Sequence, residues 1–122
     1  MSVSPWDDAP SLECYADLHI HIGRSGSGRP VKVTASRDLT FENICRESVD
    51  RKGIDLAGVV DCASPAVLDD IDSLTQRGEM VPLAGGGLAY RDRLVVLPAA
   101  EMETREPGGG ISHHMAFLPD AA

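Results

Sequence analysis

The chain has 122 residues, of which 43% are hydrophobic and 25% charged, with a formal net charge of −8. This size and composition predict one soluble globular domain. The acidic balance disfavours non-specific nucleic-acid binding, which depends on neutralising phosphates, and favours the binding of divalent cations. No apolar run is long enough to span a bilayer and the N-terminus does not resemble a signal peptide, so we expect no membrane association.

The cysteines, Cys14, Cys45 and Cys62, are odd in number and far apart in the sequence. This spacing argues against a disulfide or zinc-ribbon framework and predicts a reducing, cytoplasmic environment. Cys62 follows an aspartate and could be a ligand or nucleophile, but a small buried residue is the simpler interpretation. We expect Cys14 and Cys45 to lie in the core.

The first 35 residues predict an arm, a strand and a loop. Residues 1–11 contain two prolines and little periodicity, which predicts a loose arm, whereas residues 12–122 form the domain. A strand is predicted from about Glu13 to Ile20. The Gly- and Ser-rich segment 23–30 must be a loop, and residues 31–35 could form a short extended piece.

Two helices are predicted from their capping residues. Thr40 is a suitable N-cap for the first helix and Gly53 a suitable end. Ser64 and Pro65 provide an N-cap and a first-turn proline for the second helix, which Gly78 ends. Apolar side chains recur at helical spacing in the second helix, at Val67, Leu68, Ile71 and Leu74.

Four further apolar runs predict the remaining strands, with glycine triplets before or after several of them. The order is then β-α-β-α-β-β-β, and continuous apolar strands in such an order favour an α/β fold with a parallel sheet covered by helices. The runs are Leu56–Val60, Met80–Ala84, Leu94–Ala99 and Ile111–Leu118.

The segment Asp17-Leu18-His19-Ile20-His21 ends the first strand. Side chains two residues apart share one face of a strand, so Asp17, His19 and His21 are predicted on the same face. Two imidazoles at this spacing can bind one ion of zinc, iron, nickel or copper, and a carboxylate adds manganese to that choice. The alternative is a solvated polar face of an edge strand.

Further candidate ligands follow other strands. Asp61 comes directly after the second strand, and Glu101 lies just past the strand that begins at Leu94. Sites in parallel α/β sheets form at the carboxyl edge of the strands, so these side chains should join His19 and His21 at one rim. His113 and His114 lie early in the last strand. Adjacent residues of a strand face opposite ways, so we expect only one of the two to face the site.

The loop 23–30 has two possible functions. Its backbone N–H groups could bind a phosphate, with Arg24 and Arg29 adding positive charge. It matches neither the Walker nor the dinucleotide-binding pattern. A flexible loop without a ligand is the alternative.

Taken together, Asp17 to His21, Asp61, and Glu101 followed by His113 resemble the first motifs of the PHP (polymerase and histidinol phosphatase) superfamily of metal-dependent enzymes. One branch is closer still: the chain is similar to the N-terminal part of endonuclease Q family proteins from about Ala16 to Asp120. The segments that carry this similarity are DLHIHIGRSGSGRPVKVTASRDLTFENI, KGIDLAGVVDCASPAVL, GGGLAYRDRLVVLPAAEMETR and HHMAFLPD.

This resemblance implies a distorted (β/α) barrel of parallel strands with outer helices and a cluster of up to three metal ions, zinc or manganese. His19 and His21 would bind one ion, Glu101 would bridge two, and His113 would bind another. Asp61 would be a ligand or the partner of one, which makes Asp61 and Glu101 the candidate catalytic residues. Family members hydrolyse phosphoesters, and endonuclease Q proteins nick DNA at deaminated or abasic nucleotides.

The chain also departs from the family pattern. The later His and Asp ligands are absent, and the predicted strands are too few to close a barrel. We therefore expect a partial, open barrel that binds DNA only within a complete enzyme, with a C-terminal portion or a partner chain. One alternative is a non-catalytic protein, either a truncated metal-binding remnant or a subunit completed by another chain. A weaker alternative is a PHP-type phosphatase of small molecules.

Overall fold

The computed structural model describes residues 13–32 and 35–120. The arm predicted for residues 1–11 and the middle of the extended piece predicted at 31–35 lie outside this part of the chain. Within it, two strands each precede a helix, and four further strands follow the second helix. In chain order they are β1 (Ala16–Ile20), α1 (Phe41–Glu47, continued by π-helical residues Ser48–Lys52), β2 (Leu56–Val59), α2 (Pro65–Gln76), β3 (Met80–Pro82), β4 (Leu88–Tyr90), β5 (Leu94–Arg105) and β6 (Ile111–Phe117).

The strands form an open α/β sheet in the order β1-β2-β5-β4-β3, and β6 pairs with β5 outside this path. Strands β1, β2 and β5 are parallel, as predicted. The prediction of parallel strands is wrong for β3 and β6, which are antiparallel to their neighbours, and β4, which the sequence does not predict, is antiparallel to both of its neighbours. Tight turns account for these directions. Gly86 and Gly87 adopt φ values of 104° and 83°, which only glycine adopts readily, and fold β3 and β4 into a hairpin, while Gly108 and Gly109, with φ values of 103° and 99°, turn the chain between β5 and β6.

The two helices lie where the capping residues predict them. The Thr40 hydroxyl accepts a hydrogen bond from Asn43 N at 3.1 Å, and Gly53 ends the first helix with φ 63°. Pro65 opens α2 at its first position, although the Ser64 side chain makes no capping hydrogen bond. Both helices bury their apolar sides in one hydrophobic core that also contains residues of strands β2, β3, β4 and β5. Burial of this kind stabilises the fold by about 25 cal/mol for each Å² of apolar surface removed from water.

Strand β5 takes part in both the central sheet and a separate hairpin. Its first half lies in the centre of the sheet between β2 and β4, and its second half leaves the sheet and forms a hairpin with β6. We call residues 99–117 the β5–β6 hairpin. Its strands become exposed beyond Glu101, and its tip turns through Gly108 and Gly109, which have φ values near 100°. The hairpin therefore projects from the carboxyl edge of the parallel strands.

No helix in residues 13–32 and 35–120 is both long enough and apolar enough to cross a membrane.

Candidate metal centre

His19 and His21 meet at the carboxyl end of β1. Their Nε2 atoms are 3.2 Å apart, and their ring centroids are 5.0 Å apart at an interplanar angle of 53°. His21 is the more enclosed of the two, with 26% of its side chain exposed against 51% for His19. The two rings thus direct one nitrogen each towards the same point, close to solvent.

Glu101 supplies a third atom at that point. Its Oε2 lies 3.3 Å from His19 Nε2 and 3.3 Å from His21 Nε2. Strands β1 and β5 flank β2 in parallel, which places their carboxyl ends at the same edge of the sheet. The three ligand atoms, one from each of His19, His21 and Glu101, form a nearly equilateral triangle.

The dimensions of this triangle fit a metal ion. Tetrahedral zinc with bonds of about 2.0–2.1 Å holds neighbouring ligand atoms about 3.3–3.4 Å apart. The measured edges are 3.2, 3.3 and 3.3 Å. Three protein ligands also leave a fourth position open, which is typical of catalytic rather than structural zinc sites.

The position of the proton on the His21 ring is also compatible with metal binding. Asp61 Oδ2 lies 3.0 Å from His21 Nδ1, and an ionised carboxylate only accepts hydrogen bonds, so Nδ1 must carry the proton. In the neutral ring, Nε2 then presents a lone pair to Glu101 Oε2 and His19 Nε2. This lone pair is available to a cation placed between the three atoms, and in the metal-free protein it can accept a hydrogen bond from His19 Nε2–H. The donor set and its geometry therefore fit a divalent metal ion.

Asp61 contacts the cluster through His21. The carboxylate accepts hydrogen bonds from His21 Nδ1 and, at 3.1 Å, from Ile22 N. The group whose ligand atoms lie within 4.8 Å of one another consists of His19, His21 and Glu101 and does not include Asp61. Of the two roles implied by the family resemblance, ligand or partner of a ligand, this geometry favours the partner.

His113 faces the cluster and His114 does not. His113 Nδ1 lies 3.1 Å from Glu101 Oε1, whereas His114 Nε2 lies 3.1 Å from the Thr104 hydroxyl. The pairing register explains the difference. His113 is opposite Glu103 and so shares the face of Glu101, while His114 is opposite Met102 on the other face. Glu101 thus directs Oε2 to two imidazoles and Oε1 to a third.

Asp17 is not brought to the cluster, although its spacing predicts a shared face with the histidines. Its Oδ1 accepts a hydrogen bond from His19 N at 3.2 Å, and its side chain lines a groove beside α1 together with Ile20 and Asn43. The pairing of β1 with β2 contains an irregularity between Asp17 and Ile20. An extra residue at such a bulge breaks the alternation on which the prediction relies.

The loop that contains Arg24 and Arg29 is closed on itself rather than open for an anion. The Asp70 carboxylate accepts a hydrogen bond from Gly26 N at 2.8 Å, and Ser25 is buried inside the loop. A phosphate cradle needs free backbone donors, and most of those here are used. The backbone N–H groups that donate to protein acceptors belong to Gly23, Arg24, Ser25, Gly26, Gly28 and Arg29.

A cavity of about 310 Å³ opens beside the cluster. Glu101 and Asp61 line one part of it, and Pro30, Val31 and Ser64 line another. Sequence reasoning misses these last three residues as parts of the site. Ser64 could have been found, because it lies only three positions after Asp61 and at the same edge of the sheet.

The charge state of Glu101 suits a metal ligand. Burial acts to raise the pKa of this carboxyl, but hydrogen bonds from His19 and His113 and the proximity of both cluster imidazoles outweigh it, so the pKa is lowered. Cys62 is not a ligand here. Its Sγ–H donates to Val59 O, and burial raises the pKa of this thiol to about 11.

Comparison with known proteins gives one relative of unknown function. The chain is 40% identical over 109 residues to YqxK, an uncharacterized protein of Bacillus subtilis strain 168. The alignment covers 88% of this chain and 28% of YqxK, so the chain spans less than a third of the length of the curated relative that it matches. No protein-family model and no solved structure matches the chain.

Proposed function

We propose that this chain carries the first part of the active site of a PHP-type, metal-dependent phosphoester hydrolase. His19, His21 and Glu101 would bind a zinc or manganese ion, and Glu101 with His113 would hold a second. The observation that carries the proposal is the triangle of three ligand atoms with edges of 3.2–3.3 Å. Parallel strands β1, β2 and β5, with the site at their carboxyl edge, are also consistent with part of a distorted barrel.

The chemistry of the site suits hydrolysis of a phosphoester. Divalent ions in such a site lower the pKa of bound water and neutralise the charge of the phosphoryl oxygens. The protein's part is to fix the ligands. Glu101 remains ionised and offers an oxygen on each side, and the adjoining cavity of about 310 Å³ gives a substrate access to the cluster.

For the substrate, we propose DNA with deaminated or abasic nucleotides, on the basis of the similarity to endonuclease Q proteins. A net charge of −8 works against DNA binding by this chain alone. The basic surface would come from a further portion or from a partner chain, which agrees with the much greater length of YqxK.

Metal binding tests the first part of the proposal. We expect the purified protein to bind zinc and manganese in a competition titration with a chromophoric chelator, and His21→Ala to lose tight binding. His114→Ala removes an imidazole from the opposite face of the same hairpin and serves as the matched control. Binding should also weaken as the pH falls, because imidazoles coordinate only when unprotonated. Equal binding by His21→Ala and the wild type would contradict the proposal.

A nicking assay tests the second part. The chain alone, with zinc or manganese, should nick DNA that contains uracil, hypoxanthine or an abasic site slowly or not at all, since multi-metal phosphoryl transfer requires a complete ligand set. Robust cleavage that His21→Ala abolishes would show that these residues suffice and that the site is not partial.

A further inference from the structure

We propose that Asp61 is a positioning residue that fixes the tautomer and ring orientation of His21, and that it does so from a strained backbone conformation. This inference deepens the proposed function, on which it rests for the role of His21 as a ligand. The two observations that carry it are independent: the hydrogen bonds of the Asp61 carboxylate, and the φ value of its backbone.

The Asp61 carboxylate ties the end of β1 to the end of β2. One oxygen, Oδ2, accepts from His21 Nδ1 at 3.0 Å and from Ile22 N at 3.1 Å. The backbone around Asp61 is also held, because Cys62 N donates to Ala99 O on β5 and Ser64 N donates to Asp61 O. The backbone around Asp61 is therefore held by β5 and by the start of α2, and its carboxylate by the residues that follow β1.

The backbone of Asp61 has φ 68°, in the left-handed region that glycine adopts without strain. The chain uses glycine for this conformation at Gly53 and Gly78, which end α1 and α2, and also places Arg91 and Asp92 there, with φ values of 50° and 52°. Aspartate tolerates the region better than most residues but not as well as glycine. At Asp61 the residue in this conformation is also the one whose carboxylate accepts hydrogen bonds from His21 and Ile22, so the unusual backbone and the contacts occur at the same position.

That function follows from the geometry of the ring. With the proton held on Nδ1, His21 Nε2 is left unprotonated and faces Glu101 Oε2 and His19 Nε2 at 3.3 and 3.2 Å. Without the acceptor, the imidazole is free to carry its proton on Nε2 and to rotate. Loss of such a partner of a metal-binding histidine typically weakens metal affinity 10–100-fold.

Three variants separate positioning from strain and from direct ligation. Asp61→Gly removes the acceptor and relieves the backbone. Asp61→Asn keeps an amide oxygen that can accept both hydrogen bonds, because a single oxygen accepts both in the wild type. Asp92→Gly is the matched control, since Asp92 is an exposed aspartate with φ 52° at the turn between β4 and β5.

The readouts are the tautomer of His21 in the metal-free protein, from long-range ¹H–¹⁵N NMR spectra assigned with His21→Ala, together with zinc affinity and melting temperature. We expect the wild type, Asp61→Asn and Asp92→Gly to show the Nδ1-protonated form. Asp61→Gly should lose this preference and bind zinc about 10–100-fold more weakly, although it melts no lower than the wild type.

An unchanged tautomer in metal-free Asp61→Gly would overturn the inference. So would a loss of zinc affinity in Asp61→Asn as large as that in Asp61→Gly, since the carboxylate would then act as a ligand itself. Failure of the wild type to bind zinc would count against the proposed function alone, because the tautomer of the metal-free protein still decides whether Asp61 positions His21.

Discussion

His113 and Glu101 meet diagonally across the β5–β6 hairpin, with Nδ1 of the imidazole 3.1 Å from Oε1 of the carboxylate. The other oxygen of Glu101 faces His19 and His21. A carboxylate with imidazoles at both oxygens can bridge two ions, and it connects the hairpin to the sheet.

Replacement of His113 tests this arrangement. We expect His113→Ala to weaken or abolish binding of a second equivalent of zinc, with the first equivalent affected less, since His19, His21 and Glu101 remain. Isothermal titration calorimetry with zinc would measure the affinities of the first and the second equivalent. His114→Ala, which removes the ring beside Thr104 on the opposite face, should leave both equivalents unchanged. Similar losses in the two variants would show that the faces of the hairpin do not differ in this way.

Gly58 allows β1 and β2 to approach closely below the site. A Cβ atom at this position would lie 2.7–2.9 Å from the backbone O, Cα and C atoms of Leu18, the residue before His19. Gly58→Ala should therefore displace β1, destabilise the protein by about 1–3 kcal/mol and weaken zinc binding. Chemical denaturation and a zinc titration would measure the two effects.

The control for this variant is Gly85→Ala. A Cβ at Gly85 meets nothing within 4 Å, so the substitution should change the stability little and leave zinc binding intact. Equal stability of Gly58→Ala and Gly85→Ala would contradict the close approach of the two strands.

Asp55 should make the stability depend on acid pH. Its carboxylate accepts hydrogen bonds from Tyr15 N and from the Arg93 guanidinium, and these hold its pKa below the usual value of 3.8. A lowered pKa stabilises the folded state above the unfolded-state pKa, and this stabilisation is lost as the pH falls through the lower, folded-state value. Asp55→Asn should lose less stability than the wild type on acidification below about pH 4, in melting curves recorded against pH. Parallel curves for the two proteins would contradict this assignment.

The three thiols should differ in reactivity. Burial raises the pKa of Cys45 to about 12 and that of Cys62 to about 11, whereas Cys14 is exposed. Because the thiolate is the reactive form, iodoacetamide should alkylate Cys14 in the native protein and the other two only after unfolding. Peptide mass spectrometry would show the order. Rapid native labelling of Cys62 would instead support its sequence-based alternative as an accessible nucleophile or ligand.

Local signals in the sequence were sufficient to predict the helices and the proximity of His19 to His21. Thr40 and Gly53 act through hydrogen bonds and φ values within a few residues, and two histidines at i and i+2 are close in almost any extended backbone. The prediction that Glu101 lies beside the two histidines requires one further assumption, that β1 and β5 run in parallel. Continuous apolar strands indicated this correctly.

The errors concern short strands, tight turns and irregular strand pairing, which leave little periodicity in the sequence. Strand β4 has only three residues and follows three glycines, so no periodicity marks it, and its direction depends on the turn at Gly86 and Gly87. The prediction that Asp17 shares the face of the two histidines is wrong because of a bulge in the pairing of β1 with β2. Cys14 was expected in the core but is exposed. The left-handed conformation of Asp61 has no signature in the sequence, since aspartate also follows strands in ordinary turns.

The continuity of β5 makes the two candidate ion positions unequal in rigidity. His19 and His21 lie at the end of β1, which pairs with β2 in the sheet, whereas Glu101 lies near the base of the hairpin, opposite Met115 of β6. His113 stands on a two-stranded ribbon whose surface is largely exposed, and ribbons of this kind are only marginally stable alone. Bending of the ribbon would move His113 relative to His19 and His21 more than it moves Glu101, which lies closer to the sheet. The first ion would therefore enter a site that is largely preformed, and the second ion would restrict the bending of the ribbon.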